Sequence, residues 1–179
     1  SGMRKAEAAQ MKVSFFTTEK QDGLGGLAYV TPKIRTKGHG AMGKQAPRYV
    51  FKETFDKYLN LWLEQREKLG VTTDALFVIK DVTGKYQPAK SQNFTHWAAK
   101  IGELIGVNSL YCHSLRHAFT TYLKRQNFPT DVVQKIQSWS SADMVARYDD
   151  RTDSEELDEF FAKLKSGVDI DNNSLEEKK

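Results

Sequence analysis

The sequence predicts a mainly α-helical domain, α+β in class, with a small antiparallel β-sheet toward its N-terminal side. Three observations predict it. Apolar residues recur at helical spacing through most of the chain beyond residue 52. Short runs of β-branched and aromatic residues flank a Gly-rich stretch between residues 27 and 51. The 179 residues, 39% of them hydrophobic, suffice to enclose one core.

The elements follow in order. "MRKAEAAQM" (3–11) is rich in good helix formers and reads as a short helix. "DGLGG" (22–26) reads as a turn. "LAYVTPKIRTK" (27–37) reads as a strand in which Pro32 marks an edge or bulge. "GHGAMGKQAP" (38–47) is a hairpin tip, and "RYVF" (48–51) is the return strand. In "KETFDKYLNLWLEQREKLG" (52–70), Phe55, Leu59, Trp62 and Leu63 share one helical face that belongs in the core, and Gly70 suits the C-terminal cap. "ALFVIKD" (75–81) is a brief buried strand. "SQNFTHWAAKIGELIG" (91–106) is an amphipathic helix with Ser91 as its cap. Further helices are expected at 114–126, 130–138, 141–148 and 154–165. The polar stretch "SGVDIDNNSLEEKK" reads as a disordered acidic tail, so the domain is placed at 1–165 and the tail at 166–179.

Charge is distributed unevenly. The formal net charge is +4, yet residues 149–179 carry 11 acidic and 5 basic side chains, leaving 22 basic and 12 acidic in residues 1–148. A body of net +10 beside a segment of net −6 suits a polyanionic partner. Six Lys or Arg residues and no acid lie between Lys33 and Lys52. A basic hairpin of this kind can follow a phosphate backbone, with Lys33, Arg35, Lys44 and Arg48 as its contacts; it can equally be a charged edge that blocks strand pairing. No apolar run approaches the roughly 18 residues needed to span a bilayer. A single cysteine, Cys112, excludes an internal disulfide and fits a reducing compartment, the cytoplasm. No cluster of carboxylates points to a metal site. The opening Ser-Gly, in place of Met, reads as a piece of a longer protein.

The chemistry concentrates in "CHSLRHAFTTYLKRQNFPTDVVQKIQSWSSADMVARYDD" (112–150). His113 and Arg116 stand three residues apart and share a helical face near a helix N-terminus, where the dipole favours an anion. The guanidinium fork matches phosphate oxygens, an imidazole can donate to them or move a proton, and a tyrosine beside both is a candidate nucleophile. Taken singly, each of these residues has an ordinary structural use as a cap, a surface group or packing.

The spacing from His113 through Arg116 and Trp139 to Tyr148 resembles that of the tyrosine recombinase, or phage integrase, family. Its members carry His-x-x-Arg, then His or Trp, then the nucleophilic tyrosine nine residues on. "SGMRKAEAAQM" is similar to the family's first arginine motif, which makes Arg4 the first active-site arginine and Glu7 its acidic support. "IRTKGHG" is similar to the family's Lys-Gly turn, which puts Lys37 in the place of the mobile active-site lysine. His117 is a companion residue with a packing or supporting task. The resemblance spans nearly all of residues 1–150.

The resemblance implies the tyrosine-recombinase catalytic fold and a metal- and cofactor-independent reaction. Tyr148 would attack a DNA phosphodiester to form a 3′-phosphotyrosyl bond and release a 5′-hydroxyl. Arg4 and Arg116 would hold the non-bridging oxygens, His113 would hydrogen-bond the phosphate and assist the tyrosine proton, and Trp139 would donate its indole N–H. Lys37 would protonate the leaving oxygen. Partners would be double-stranded DNA and, in the full-length protein, three further copies in a tetramer, with the enzyme working on the nucleoid. An N-terminal helical DNA-binding domain, usual in the family, is absent from these residues. The apolar stripe Leu157, Phe160, Phe161 and Leu164 would dock on a neighbouring subunit or on its own domain. Asp149 and Asp150 would repel DNA unless turned away. Three alternatives remain open: a non-catalytic DNA-binding module of the same fold, a relaxing topoisomerase of type IB, and a helical interaction domain whose six site side chains do not converge.

Overall fold

Pro32 divides the predicted first long strand in two, and the sheet is built around that break. The computed structural model describes residues 1–36 and 43–165, the Leu164 side chain excepted. Strands β1 (Gln21–Gly23), β2 (Ala28–Val30) and β5 (Tyr49–Phe51) form an antiparallel sheet in the order β1-β2-β5, with Ala28 opposite Phe51 and Val30 opposite Tyr49. Past Pro32, which offers no N–H to a ladder, the chain re-enters a separate two-stranded pairing of β3 (Ile34–Arg35) with β4 (Gln45–Ala46). Between the two, Thr31 keeps the segments together: its hydroxyl donates to the Pro32 carbonyl and accepts the Arg48 backbone N–H at 2.9 Å. Lys37 and the tip residues to Met42 lie outside the described residues, as does the 166–179 tail.

Before the sheet, the predicted first helix is a single turn, α1 (Lys5–Ala8), followed by α2 (Ser14–Thr17). The latter and β1 were not anticipated; both are too short to leave a periodic signature. Helix α3 (Lys52–Lys68) buries Leu59 and packs Phe55, Trp62 and Leu63 onto Phe15, Phe16, Tyr29 and Val50. It stops where Gly70 takes φ +66°, the left-handed conformation that glycine adopts freely. Strand β6 (Val78–Lys80) pairs with an unforeseen β7 (Tyr86–Pro88), whose Gln-Pro ending carries no strand signal.

Helix α4 (Ser91–Ile105) has Lys90, not Ser91, as its N-cap: the Asn93 side chain accepts the Lys90 N–H at 2.8 Å and takes over the capping task. Helix α5 (Cys112–Arg125) starts two residues earlier than its pattern predicts, because Ser114 Oγ accepts the Tyr111 N–H and closes the first turn there. Then come α6 (Thr130–Gln137), α7 (Asp143–Tyr148) and α8 (Asp153–Lys165).

Among the described residues, the packing forms two apolar clusters. One joins α2, the sheet and α3. The other gathers Leu123, Val133, Ile136, Trp139, Val145 and Tyr148 between α5, α6 and α7. Burial of the second cluster fixes α7 against α5, and that is what delivers Tyr148 to the face carrying His113 and Arg116. No helix of the described residues is long and apolar enough to cross a membrane. Helix α8 is held by ions rather than by its apolar stripe: Leu157, Phe160 and Phe161 are all exposed.

Candidate active site

On α5, His113, Arg116 and His117 fall on one face, as spacing of three and four residues requires. At the end of α6, Ser138 adopts φ +55°, which turns the chain so that Trp139 folds back beneath α7. Tyr148, the last residue of α7, arrives from the other side. Its hydroxyl is 2.8 Å from His113 Nε2, and its ring lies at centroid distances of 4.9 Å from Trp139 and 4.5 Å from His117. Tyr148 is buried; the hydroxyl and imidazole meet at the mouth of the site.

Arg116 lies beneath this group. It is 1% exposed, with its guanidinium carbon 4.9 Å from the Trp139 ring centroid and 5.8 Å from that of Tyr148. Nη1 donates to the Gly2 carbonyl at 2.6 Å and Nη2 to the Gln137 carbonyl at 3.2 Å, while Nε has no partner among the described residues. Burial, reinforced by the Arg4 charge, lowers the Arg116 pKa to about 10, so the group stays cationic at neutral pH. Gly2 allows this packing. Its φ is +56°, and a Cβ there would stand 2.5 Å from the Gln137 amide nitrogen and 2.7 Å from the Phe119 ring.

Arg4 caps α1 and reaches the Glu7 carboxylate through Nη1 at 3.1 Å. Met3, Arg4, Lys5, Thr95, Tyr111, Cys112, His113 and Arg116 together line a pocket of about 300 Å³. Arg4, His113 and Arg116 thus converge on one concavity of positive charge. His113 feels it: desolvation, then the charges of His117, Arg116 and Arg4, lower its pKa below the ordinary histidine value. Among the described residues, Trp139 Nε1 is buried without a hydrogen-bond partner.

Arg48 is not where the hairpin pattern put it. Expected on a DNA-facing surface, it is 2% exposed and forks onto Glu7, with Nη2 2.7 Å from Oε1 and Nε 3.0 Å from Oε2. Its Nη1 donates to Ser138 Oγ at 2.8 Å, next to Trp139. A pattern of alternating charge cannot reveal this, because the buried acid that pairs with Arg48 lies 41 residues away. Burial pushes the Glu7 carboxyl up, but the hydrogen bonds and charges of Arg48 and Arg4 outweigh it and hold it below the carboxylate norm. Lys33, Arg35 and Lys44 are exposed, and Lys44 Nζ reaches the Ser138 carbonyl at 3.4 Å.

The two aspartates after Tyr148 part company. Asp149 turns away from the site into a paired contact with Arg151, at 2.7 Å to Nη2, and Arg151 also binds Glu156 and Glu159 on α8. Asp150 turns toward the site and meets His117 Nδ1 at 2.9 Å. Neither Arg151 nor the Asp150–His117 contact carried a sequence signal, since each depends on how the chain leaves α7. Among the described residues, no group of three or more His, Cys, Asp or Glu side chains is arranged to hold a metal ion.

The sequence profile of the phage integrase family matches residues 1–155. The chain belongs to that family. Solved structures of tyrosine recombinases share its fold. XerA recombinase superposes with a TM-score of 0.65 at 21% identity, over 92% of this chain and 54% of that one. The XerH site-specific recombinase, in a post-cleavage complex with its palindromic difH substrate, gives 0.58 at 21% identity, over 93% and 42%. The Tn1549 transposon integrase in complex with transposon right end DNA gives 0.57 at 11% identity, over 92% and 55%. The present chain therefore spans about half the length of these integrase-fold proteins. No curated protein matches it at the sequence level. For this integrase-family chain, the α+β tyrosine-recombinase catalytic fold expected from the motifs is the fold observed.

Proposed function

We propose that this chain is the catalytic part of a site-specific DNA recombinase, one that integrates or excises a mobile element by cutting and rejoining DNA through a 3′-phosphotyrosyl intermediate. The observation that carries the reading is the 2.8 Å contact between the Tyr148 hydroxyl and His113 Nε2 above a buried guanidinium. A phenol needs a nearby acceptor for its proton before it attacks phosphorus, and a histidine whose pKa is lowered by partial desolvation and cationic neighbours suits that task.

In the reaction, the scissile phosphate enters the pocket lined by Arg4, His113 and Arg116. The Tyr148 oxygen bonds to phosphorus as the bond to the 5′-oxygen breaks, and the phenolic proton passes to His113 Nε2. Lys37 delivers a proton to the leaving 5′-oxygen. Negative charge grows on the non-bridging oxygens, where the guanidiniums of Arg4 and Arg116 stabilise it and the Trp139 N–H, buried without a partner among the described residues, donates. The phosphodiester energy is conserved in the covalent link, so a 5′-hydroxyl from the partner strand reseals the DNA in the reverse of the same step. Glu7 supports Arg4, and Lys33, Arg35 and Lys44 follow the flanking backbone. The full-length protein assembles as a tetramer on double-stranded DNA in the cytoplasm.

The test mixes the protein with nicked duplexes from the ends of the DNA element that encodes it, for wild type and Tyr148→Phe, on a denaturing gel. A protein–DNA band that survives denaturant and vanishes in the variant supports the reading. DNA binding without any covalent band sinks it and leaves a binding module of the same fold; relaxation of supercoiled plasmid with no partner site points to topoisomerase chemistry.

A further inference from the structure

We propose that Asp150 is a positioning residue for the Tyr148 nucleophile and that it acts through His117; the proposal rests on the recombinase reading above. The carboxylate of Asp150 can only accept, so its 2.9 Å contact fixes the proton of His117 on Nδ1. That bond sets the plane of the His117 ring. The ring in turn lies along Tyr148, at 4.5 Å between centroids and 38° between planes, and stands edge-on to His113 at 5.5 Å. His117 therefore touches both partners of the nucleophile–base pair and contacts neither through a hydrogen bond that would tie up the phenol.

The backbone is arranged to present this carboxylate. The Asp150 N–H donates to Thr121 Oγ1 at 2.9 Å, and Thr121 is itself buried on α5 one turn beyond His117. The chain leaving Tyr148 is thus fastened to the helix that carries both imidazoles. The neighbouring acid takes another path: Asp149 is occupied by Arg151. Of the two aspartates, one is neutralised in an ion network and one is held beside the nucleophile. An acid near a phosphate site should hinder DNA binding, and the Asp150 side chain is 58% exposed, so it has no packing task that would explain its place. The orientation it gives His117, and through it Tyr148, does explain it.

Asp150→Ala and Asp150→Asn separate this role from charge and from folding. Both remove the same negative charge, but only the asparagine keeps an oxygen able to accept from Nδ1. The full chain is assayed on the same nicked duplexes, with adduct formation followed at saturating DNA, DNA affinity measured separately and thermal midpoints recorded. Asp150→Ala is expected to slow adduct formation about tenfold to a hundredfold, the scale of a small misplacement of reacting groups. Its DNA affinity should be unchanged or tighter and its midpoint unchanged, and Asp150→Asn should recover most of the rate. In ¹⁵N spectra of histidine side chains, the His117 proton should leave Nδ1 in Asp150→Ala and stay in Asp150→Asn. An unchanged rate in Asp150→Ala, or equal losses in both variants, overturns the proposal while the recombinase reading stands. No adduct from wild type sinks that reading and the proposal with it.

Discussion

The Tyr148 hydroxyl and His113 Nε2 stand 2.8 Å apart, on residues 35 positions separated in the chain. In the proposed reaction, the contact joins a phenol that must lose a proton to an imidazole whose pKa lies below the ordinary histidine value. The sign of the pH dependence follows. A protonated His113 cannot accept, so adduct formation should fall as acid converts it, and the fall should begin below the pH of about 6.5 at which an unperturbed histidine titrates. Rates of covalent adduct measured between pH 5 and 8 should show this limb in wild type and lose it in His113→Gln, alongside a large drop in rate. The same depression means that the unfolded chain binds this proton more readily than the folded one. The contribution of His113 to stability is therefore present above the ordinary value and is lost as pH falls toward the depressed one.

Arg48 should matter to folding before it matters to DNA. Arg48→Met leaves Glu7, 1% exposed, without its forked partner. Removing one member of a buried pair costs about 3–5 kcal/mol, which denaturant titration reads directly. Because Glu7 sits below the carboxylate norm in the folded state, its contribution holds above the unfolded pKa and disappears as pH drops through the folded one. A variant as stable as wild type would contradict the buried pair.

Lys33, Arg35 and Lys44 should behave differently. Each is exposed, and neutralising any of them should weaken DNA binding across sequences and reduce the slope of log affinity against log salt by about one. Thermal midpoints should barely move. Equal slopes in wild type and all three variants would remove the hairpin from the DNA interface.

Part of this site was legible because local rules dictate it, and the rest because its motifs resemble those of the integrase family. The i, i+3 spacing of His113 and Arg116 places them together on any helix, and the nine residues from Trp139 to Tyr148 allow one turn and one short helix between them. The long helices α3 and α4 follow from their apolar periodicity. What stayed hidden in the sequence depends on tertiary closure. Arg48 reads as one more cation in a basic hairpin until the fold sets it against Glu7. Asp149 and Asp150 look alike in the chain, and only the exit from α7 sends one to Arg151 and the other to His117. The fold also leaves Leu157, Phe160 and Phe161 of α8 exposed, against the option that they pack on their own domain.

Trp139 tests whether an unpartnered group is reserved for the substrate. Its Nε1 is buried with no acceptor among the described residues, a desolvation cost of about 1–3 kcal/mol. Trp139→Phe removes that donor and keeps a ring over Arg116. The lost cost should offset part of the cavity left by the smaller ring, so the variant should be destabilised by less than the about 3–5 kcal/mol of a truncation to alanine. Adduct formation at saturating DNA should fall about a hundredfold, as it does when a transition-state donor is removed. Early melting with an unchanged adduct rate would assign Trp139 to packing alone.

Arg151 governs where α8 lies. It binds Asp149 at 2.7 Å, Glu156 at 2.9 Å and Glu159 at 2.8 Å, and Arg125 adds a contact to Glu155 at 2.6 Å. These ions do the work that the exposed apolar face of α8 does not. Arg151→Ala should therefore raise hydrogen exchange throughout 153–165 while leaving α5 and α6 protected, because their cluster around Leu123 and Val133 does not include α8. It should also free the Asp149 carboxylate two residues from Arg151 and one from Tyr148, and weaken DNA binding most at low salt, where repulsion between like charges is least screened. Acidification should reproduce the loosening of α8 as Glu155, whose pKa the Arg125 hydrogen bond lowers, becomes protonated. Protection of α8 that survives both Arg151→Ala and acid would show that its apolar face, not its ions, holds it in place.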